Sequence, residues 1–153
     1  MRVVIGSDHG GYELKKELIS LLRELGHEVV DFGTHSTEPV DYPDVACLVA
    51  ASVAREATAS TVGIIIDGAG TGSAITANKV PGVRAAACYD TFTARNSREH
   101  NHANVLTLGS RNTGIEIARE IVKTWLGSSF AGSRHQRRID KMLQVERRYL
   151  REN

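Results

Sequence analysis

The sequence predicts an α/β fold, a doubly wound five-stranded parallel sheet with helices on both faces. Three observations carry this reading. Strand-like and helix-like stretches alternate along the whole chain. The strand-like stretches are continuously apolar instead of alternating, as in sheets covered on both faces. The loops after the first and third strands are polar and rich in glycine, as loops at the ligand-binding edge of such a sheet must be.

The elements follow in order. Residues 3–7 read as a short buried strand that ends in the turn-prone loop Asp8-His9-Gly10-Gly11. Leu14, Leu18, Leu21, Leu22 and Leu25 recur at helical spacing, and Gly26 stops that helix. Residues 28–32 form a second strand, followed by a loop over 33–41 rich in Thr, Ser and Pro. Asp41-Tyr42-Pro43-Asp44 opens a second helix, with Pro43 suited to its first turn, and the Ala-rich stretch to Ala57 continues it. Val62 and residues 64–66 make a third strand that runs into Asp67-Gly68-Ala69-Gly70-Thr71-Gly72, then a short helix over 73–79. Pro81-Gly82 marks a turn before a fourth strand at 83–88, all small or apolar apart from Arg84. A helix over 91–101, a fifth strand at 104–108 and the polar loop Gly109-Ser110-Arg111 follow. Thr113 is the expected N-cap of a helix over 114–126. A small-residue linker, 127–133, is expected to free from the sheet a last helix over 134–150, with Ile139, Leu143 and Leu150 on one face. No repeat, low-complexity segment or second domain breaks the series, so residues 1–153 read as one domain.

Composition narrows the function. Hydrophobic content of 41% and charged content of 24% are ordinary for a globular protein with a proper core. A net charge of +1 gives no general attraction to nucleic acid or membrane. No apolar run reaches the roughly 18 residues of a membrane span, and the first residues turn polar too soon for a signal peptide. Cys47 and Cys88 both lie in apolar stretches, so both are expected to be buried free thiols. The expectation is a cytoplasmic protein.

The stretch from Asp67 to Gly72 is the chemical centre of the sequence. A buried strand breaking into a glycine turn and then a helix points several N–H groups at one place, which attracts anions. Asp67 is expected at the lip of this cup. The stretch is not a dinucleotide fingerprint, since it follows the third strand, and no Gly-Lys-Ser/Thr marks a P-loop. His100-Asn101-His102 ends the fourth helix, but no Cys or carboxylate cluster joins it, so no metal is expected. Arg134 and Arg138 are four apart and share a helix face that could clamp one phosphate. Residues 134–153 carry seven Arg/Lys against three Asp/Glu, yet without interleaved aromatics they do not read as a nucleic-acid surface.

These pieces together resemble the type B ribose-5-phosphate isomerases, in the sugar-phosphate isomerase family that also includes galactose-6-phosphate isomerase. The resemblance rests on Gly6-Ser7-Asp8-His9-Gly10-Gly11, Asp41-Tyr42-Pro43-Asp44, residues 63–79, Ser97-Arg98-Glu99-His100-Asn101, residues 104–111 and residues 132–138, all in the family's order. It implies a Rossmann-like three-layer sandwich and a metal-free, cofactor-free interconversion of an aldose phosphate with a ketose phosphate. It also implies a homodimer or homotetramer with shared active sites, the last helix packing on a neighbouring subunit. Carried over, His100 opens the sugar ring, Asp8, His9, Tyr42 and Asn101 contact the substrate, and Arg111, Arg134 and Arg138 bind the phosphate. The N–H groups of Gly68, Ala69, Gly70, Thr71 and Gly72 stabilise the enediolate oxygen.

The departure is at the cup. Many members have Cys-Gly-Thr-Gly where this chain has Asp67-Gly68-Ala69-Gly70, and that Cys is their base. A carboxylate can serve instead, and a base belongs on the same loop as the donors because the two act on adjacent atoms. The cup is then for the transition-state oxygen, and the phosphate, repelled by Asp67, sits at the far end among the arginines. Two other readings stay open: an isomerase of another phosphorylated sugar, such as galactose or allose 6-phosphate, and a non-catalytic sugar-phosphate-binding subunit.

Overall fold

The structure is a computed structural model and describes residues 1–56 and 60–150. Five strands, β1 (Arg2–Ser7), β2 (Glu28–Asp31), β3 (Thr61–Asp67), β4 (Ala85–Ala87) and β5 (Val105–Gly109), form one sheet in the order β2-β1-β3-β5-β4. Every pairing is parallel. The helices are α1 (Tyr12–Glu24), α2 (Tyr42–Glu56), α3 (Thr71–Ala77), α4 (Thr91–Glu99), α5 (Ile115–Gly127) and α6 (Arg134–Tyr149). The expected α/β architecture is therefore present, with five strands as read. The expected end of the second helix at Ala57 lies outside the described residues.

Strand side chains alternate between two cores. Val3, Ile5, Ile64, Ile66, Leu106 and Leu108 pack with α1, α4 and α5, where Leu18, Leu22, Ile121 and Trp125 are buried. Val4, Ile65 and Val105 face the other way, towards Val49 and Val53 of α2 and Ala77 of α3. β3 is buried at all seven positions because both faces and both edges are covered. α6 contributes little to either core, burying only His135 and Ile139. No helix of the described residues is long and apolar enough to cross a membrane.

Three local expectations need correction. Cys88 is buried, and burial pushes its thiol pKa up, but Cys47 is exposed. The inward face of α2 is Val45, Ala46, Val49, Ala50 and Val53, and Cys47 falls off that stripe. The N-cap of α5 is Gly114, not Thr113, whose hydroxyl donates to Asn112 Oδ1 at 3.2 Å. The linker before α6 is not loose. Phe130 stacks on His102 with ring centroids 4.5 Å apart, and the Ala131 N–H donates to the Glu99 carbonyl at 3.0 Å.

One buried ion pair ties the layers to the loop that reaches the site. Lys15 of α1 is 1% exposed, and its Nζ donates to Asp31 Oδ1 at 2.7 Å and to the Thr34 carbonyl at 2.5 Å. Asp31 Oδ1 also accepts the Gly33 N–H at 2.8 Å. The loop so fastened runs on to Val40, whose N–H donates to His9 Nδ1 at 3.1 Å, and then to Tyr42. Breaking a buried pair leaves an uncompensated charge. Lys15→Met is expected to lower unfolding stability by about 2 kcal/mol, less than a fully buried pair would cost because the Asp31 side chain is 29% exposed. An unchanged urea midpoint would show that the tie adds nothing.

Candidate active site

The order β2-β1-β3-β5-β4 makes β1 and β3 neighbours whose chains leave in opposite directions. Their carboxyl ends form the topological switch point, where open α/β sheets bind ligands. Ser7 lies opposite Ile66 and Asp67 opposite Gly109, so the loops after β1, β3 and β5 leave the sheet together. The loop after β5 holds the cup loop in place. Ser110 and Arg111 N–H groups donate to the Asp67 and Gly68 carbonyls at 2.8 and 2.9 Å. The Thr107 hydroxyl donates to the Gly70 carbonyl at 2.6 Å, and Tyr89 OH to the Ala69 carbonyl at 3.1 Å.

Asp67 sits inside the cup, not at its lip, and is 4% exposed. Its Oδ1 accepts the Gly70 N–H in a short hydrogen bond, and its Oδ2 accepts the Ser73 N–H at 3.0 Å. Helix α3 starts at Thr71, two residues before the expected start, which brings the Ser73 N–H within reach. Gly70 takes the left-handed φ of +79° that the turn requires, a conformation glycine adopts without strain. Of the expected cup donors, Gly70 is thus engaged by Asp67, while the Thr71 and Gly72 N–H groups open α3, where a helix supplies no partner of its own. The Tyr42 ring closes over Gly72, where a Cβ would stand 2.5 Å from Tyr42 Cζ.

Asp8 and His9 lie beside the cup in a short 3-10 turn, His9–Gly11, where a plain loop was expected. Asp8 Oδ1 accepts the Gly11 N–H at 3.1 Å, and the Asp8 N–H donates to the Ile66 carbonyl at 3.2 Å. Arg111 is exposed and its side chain runs past Gly68, so it belongs to this edge and not to the other arginines. The hydroxyls of Ser7, Ser73 and Ser110 are buried with no hydrogen-bond partner among the described residues.

The remaining candidates stand at the opposite edge. Helix α4 returns from the end of β4 to the start of β5, so His100 and Asn101 lie at the amino edge of the sheet. The linker after α5 brings Arg134 and Arg138 to the same edge. Seven residues of β3 at ~3.3 Å each put about 20 Å between the two groups. One chain therefore gathers Asp67, Asp8, His9, Tyr42 and Arg111 in one place and His100, Asn101, Arg134 and Arg138 in another. In the second group, His135 stacks on His100 with centroids 4.1 Å apart and planes at 21°. His100 Nδ1 is 3.2 Å from Asn96 Nδ2, and His135 Nδ1 is 3.4 Å from Arg138 Nη1.

Known proteins share this fold and much of this sequence. The family described as Ribose/Galactose Isomerase matches residues 3–142. Ribose-5-phosphate isomerase B of Escherichia coli is 44% identical over 96% of this chain and 97% of its own. The structure of Clostridium thermocellum ribose-5-phosphate isomerase B superposes with a TM-score of 0.94 at 50% identity, covering 98% of this chain and all of that one. The Mycoplasma genitalium ribose-5-phosphate isomerase B, solved with bound ribulose 5-phosphate, superposes with a TM-score of 0.92 at 41% identity, covering 95% of this chain and 96% of that one.

Reading from sequence missed Ser73, whose N–H holds Asp67, and His135, which lies between Arg134 and Arg138 in the chain. A lone aromatic base between Arg134 and Arg138 was the available signal. His135 is buried, and its pKa is lowered by that burial first and then by His100, Arg134 and Arg138. His102 is lowered by burial and then by Arg84 and Arg98. The unfolded chain takes up these protons near pH 6.5, and the folded chain only at lower pH. Their contribution to stability is complete above about pH 6.5 and is lost as pH falls through the depressed values. Urea midpoints are expected to drop on acidification below that point, with a shallower acid limb in His135→Gln. An equally steep limb in that variant would show that its protonation is not coupled to folding.

Proposed function

The chain belongs to the ribose/galactose isomerase family, and from that premise we propose that it interconverts ribose 5-phosphate and ribulose 5-phosphate through an enediolate. The observation that carries the reading is the carboxylate of Asp67, held by N–H groups of the cup at the switch point. The aldose must first open its ring, which is the task of His100. A base then removes the proton from C2 and returns one to C1, while the hydroxyl proton passes between O2 and O1. Asp67 is that base. Its hydrogen bonds from Gly70 and Ser73 occupy one lone pair on each oxygen, so a second lone pair stays available for the carbon-bound proton. The same bonds fix its orientation, and the Thr71 and Gly72 N–H groups are the donors left for the enediolate oxygen.

The separation of the two residue groups supports an oligomer in which one subunit's His100, Asn101, Arg134 and Arg138 cover the partner's carboxyl edge. In that arrangement Arg111 of one chain and the arginine pair of the other meet on the phosphate, away from Asp67. Asp8, His9 and Tyr42 hold sugar hydroxyls with Asn101. The substrate is a phosphorylated metabolite and the cysteines are free, which suits the cytoplasm. A second reading, isomerisation of a hexose 6-phosphate, is motivated by Asp67 and Ala69 at the two positions where many members carry Cys and Thr. A panel of phosphorylated sugars separates the two readings.

Two results are expected. Asp67→Asn, which sets an amide NH2 against one of the two N–H donors, is expected to fold with lowered stability and to lose at least about 100-fold in kcat on ribose 5-phosphate, the usual scale for a lost general base. Near-normal turnover would sink the assignment. Asp67→Asn and His100→Asn, each inactive alone, regain activity when co-expressed, because a mixed dimer contains one site with neither defect. Failure to regain it would mean that each chain completes its own site.

A further inference from the structure

The turn between α4 and β5 is held by two arginines that the chemistry above does not use. Arg84 stands just before β4. Its Nε donates to the Asn101 carbonyl at 3.2 Å and to the His102 carbonyl at 3.0 Å, and its Nη2 donates to the His102 carbonyl at 2.9 Å. Arg98 of α4 is buried, donates from Nη1 to the Ala103 carbonyl at 2.5 Å, and lies 4.8 Å from the Trp125 ring centroid. Three successive carbonyls, 101 to 103, are therefore taken by two guanidinium groups. Neither forms an ion pair within 4.0 Å among the described residues.

The backbone of Arg84 is equally fixed. Its N–H donates to Asn104 Oδ1 at 2.8 Å, and the Asn104 N–H donates to its carbonyl at 3.0 Å. The clamped turn includes His102 at a left-handed φ of +48°, which needs external support in a non-glycine residue. A guanidinium fork reaches two carbonyls at once, and an ammonium group does not reproduce that geometry. Glu146 is the nearby carboxylate that favours the charge of Arg84, but it forms no ion pair with it, and the guanidinium spends its hydrogen bonds on carbonyls, which sets backbone shape. The residues carried by that backbone are His100 and Asn101, one the end of α4 and the other bonded through its own carbonyl.

We propose that Arg84 is a positioning residue for ring opening, which acts through the turn at 100–102 to aim His100 at the closed sugar without touching it. The proposal rests on the reading of His100 as the ring-opening group. In ring opening the C1–O4 bond breaks, the O1 hydroxyl gives up its proton, and O4 gains one. Ribulose 5-phosphate needs no such step, because its 5-oxygen carries the phosphate and cannot close on the ketone. Exchange of its C1 hydrogen with water reports enolisation alone.

The test compares two rates in each variant, isomerisation of ribose 5-phosphate and release of C1 tritium from ribulose 5-phosphate. Their ratio does not depend on how much of the variant is folded. In Arg84→Lys and Arg84→Gln, kcat for ribose 5-phosphate is expected to fall at least about tenfold, the scale of a small misplacement of a reacting group, with exchange within about threefold of wild type. His100→Gln is expected to show the same selective loss, only larger. Equal loss of both rates in the Arg84 variants would make Arg84 a general structural residue and overturn the proposal. So would unchanged isomerisation in those variants beside a defective His100→Gln. Unchanged isomerisation in His100→Gln would overturn the ring-opening reading itself, and the proposal with it.

Discussion

A single carboxylate shapes the working edge of this molecule. Asp67 ends the central strand and then turns into the helix that follows, accepting N–H groups from Gly70 and Ser73. Hydrogen bonds to a charged group are worth roughly 1.5–3 kcal/mol each, enough to offset much of the cost of burying it. The loop so folded is gripped from outside by β5 and the residues after it, through Thr107, Ser110 and Arg111. Several features of the carboxyl edge lean on this loop. Tyr42 lies on Gly72, Tyr89 reaches Ala69, and the Asp8 turn leans on the end of β3 through the Ile66 carbonyl.

The architecture was legible because apolar strands and amphipathic helices alternate with little ambiguity. The carboxyl-edge site was legible for the same reason, since strand order places the first and third loops side by side once the sheet is doubly wound. What escaped was decided by contacts between distant segments. The inward turn of Asp67 depends on α3 beginning at Thr71, and nothing in Thr-Gly-Ser distinguishes that start from a later one. The His100–His135 stack depends on the linker docking through Phe130 and Ala131, which brings together rings 35 positions apart in the chain. Cys47 is a different kind of miss. The helical period of α2 excludes it from the buried stripe, and its apolar neighbours outweighed that period.

The division of the candidate residues between two edges has an electrostatic logic. A phosphate and a catalytic carboxylate repel each other, and a small domain with both on one loop would bind its substrate poorly. Here the carboxylates Asp8 and Asp67 stand at one end of the strands, and Arg134 and Arg138 at the other. The last helix also leaves Met142, Val145, Tyr149 and Leu150 between 43% and 76% exposed. Ile139 is the one apolar side chain of that helix buried against its own chain.

The two thiols have unequal access to solvent, and that inequality has a practical use. Cys88 is buried, 3.7 Å from the Ala86 carbonyl and 3.9 Å from Ser97 Oγ, with its ionisation disfavoured. Cys47 lies open on α2, five residues after Tyr42. A maleimide dye added to the native protein therefore has one address, on the helix whose first residue covers the cup. Fluorescence from that position gives a spectroscopic view of the site without any mutation.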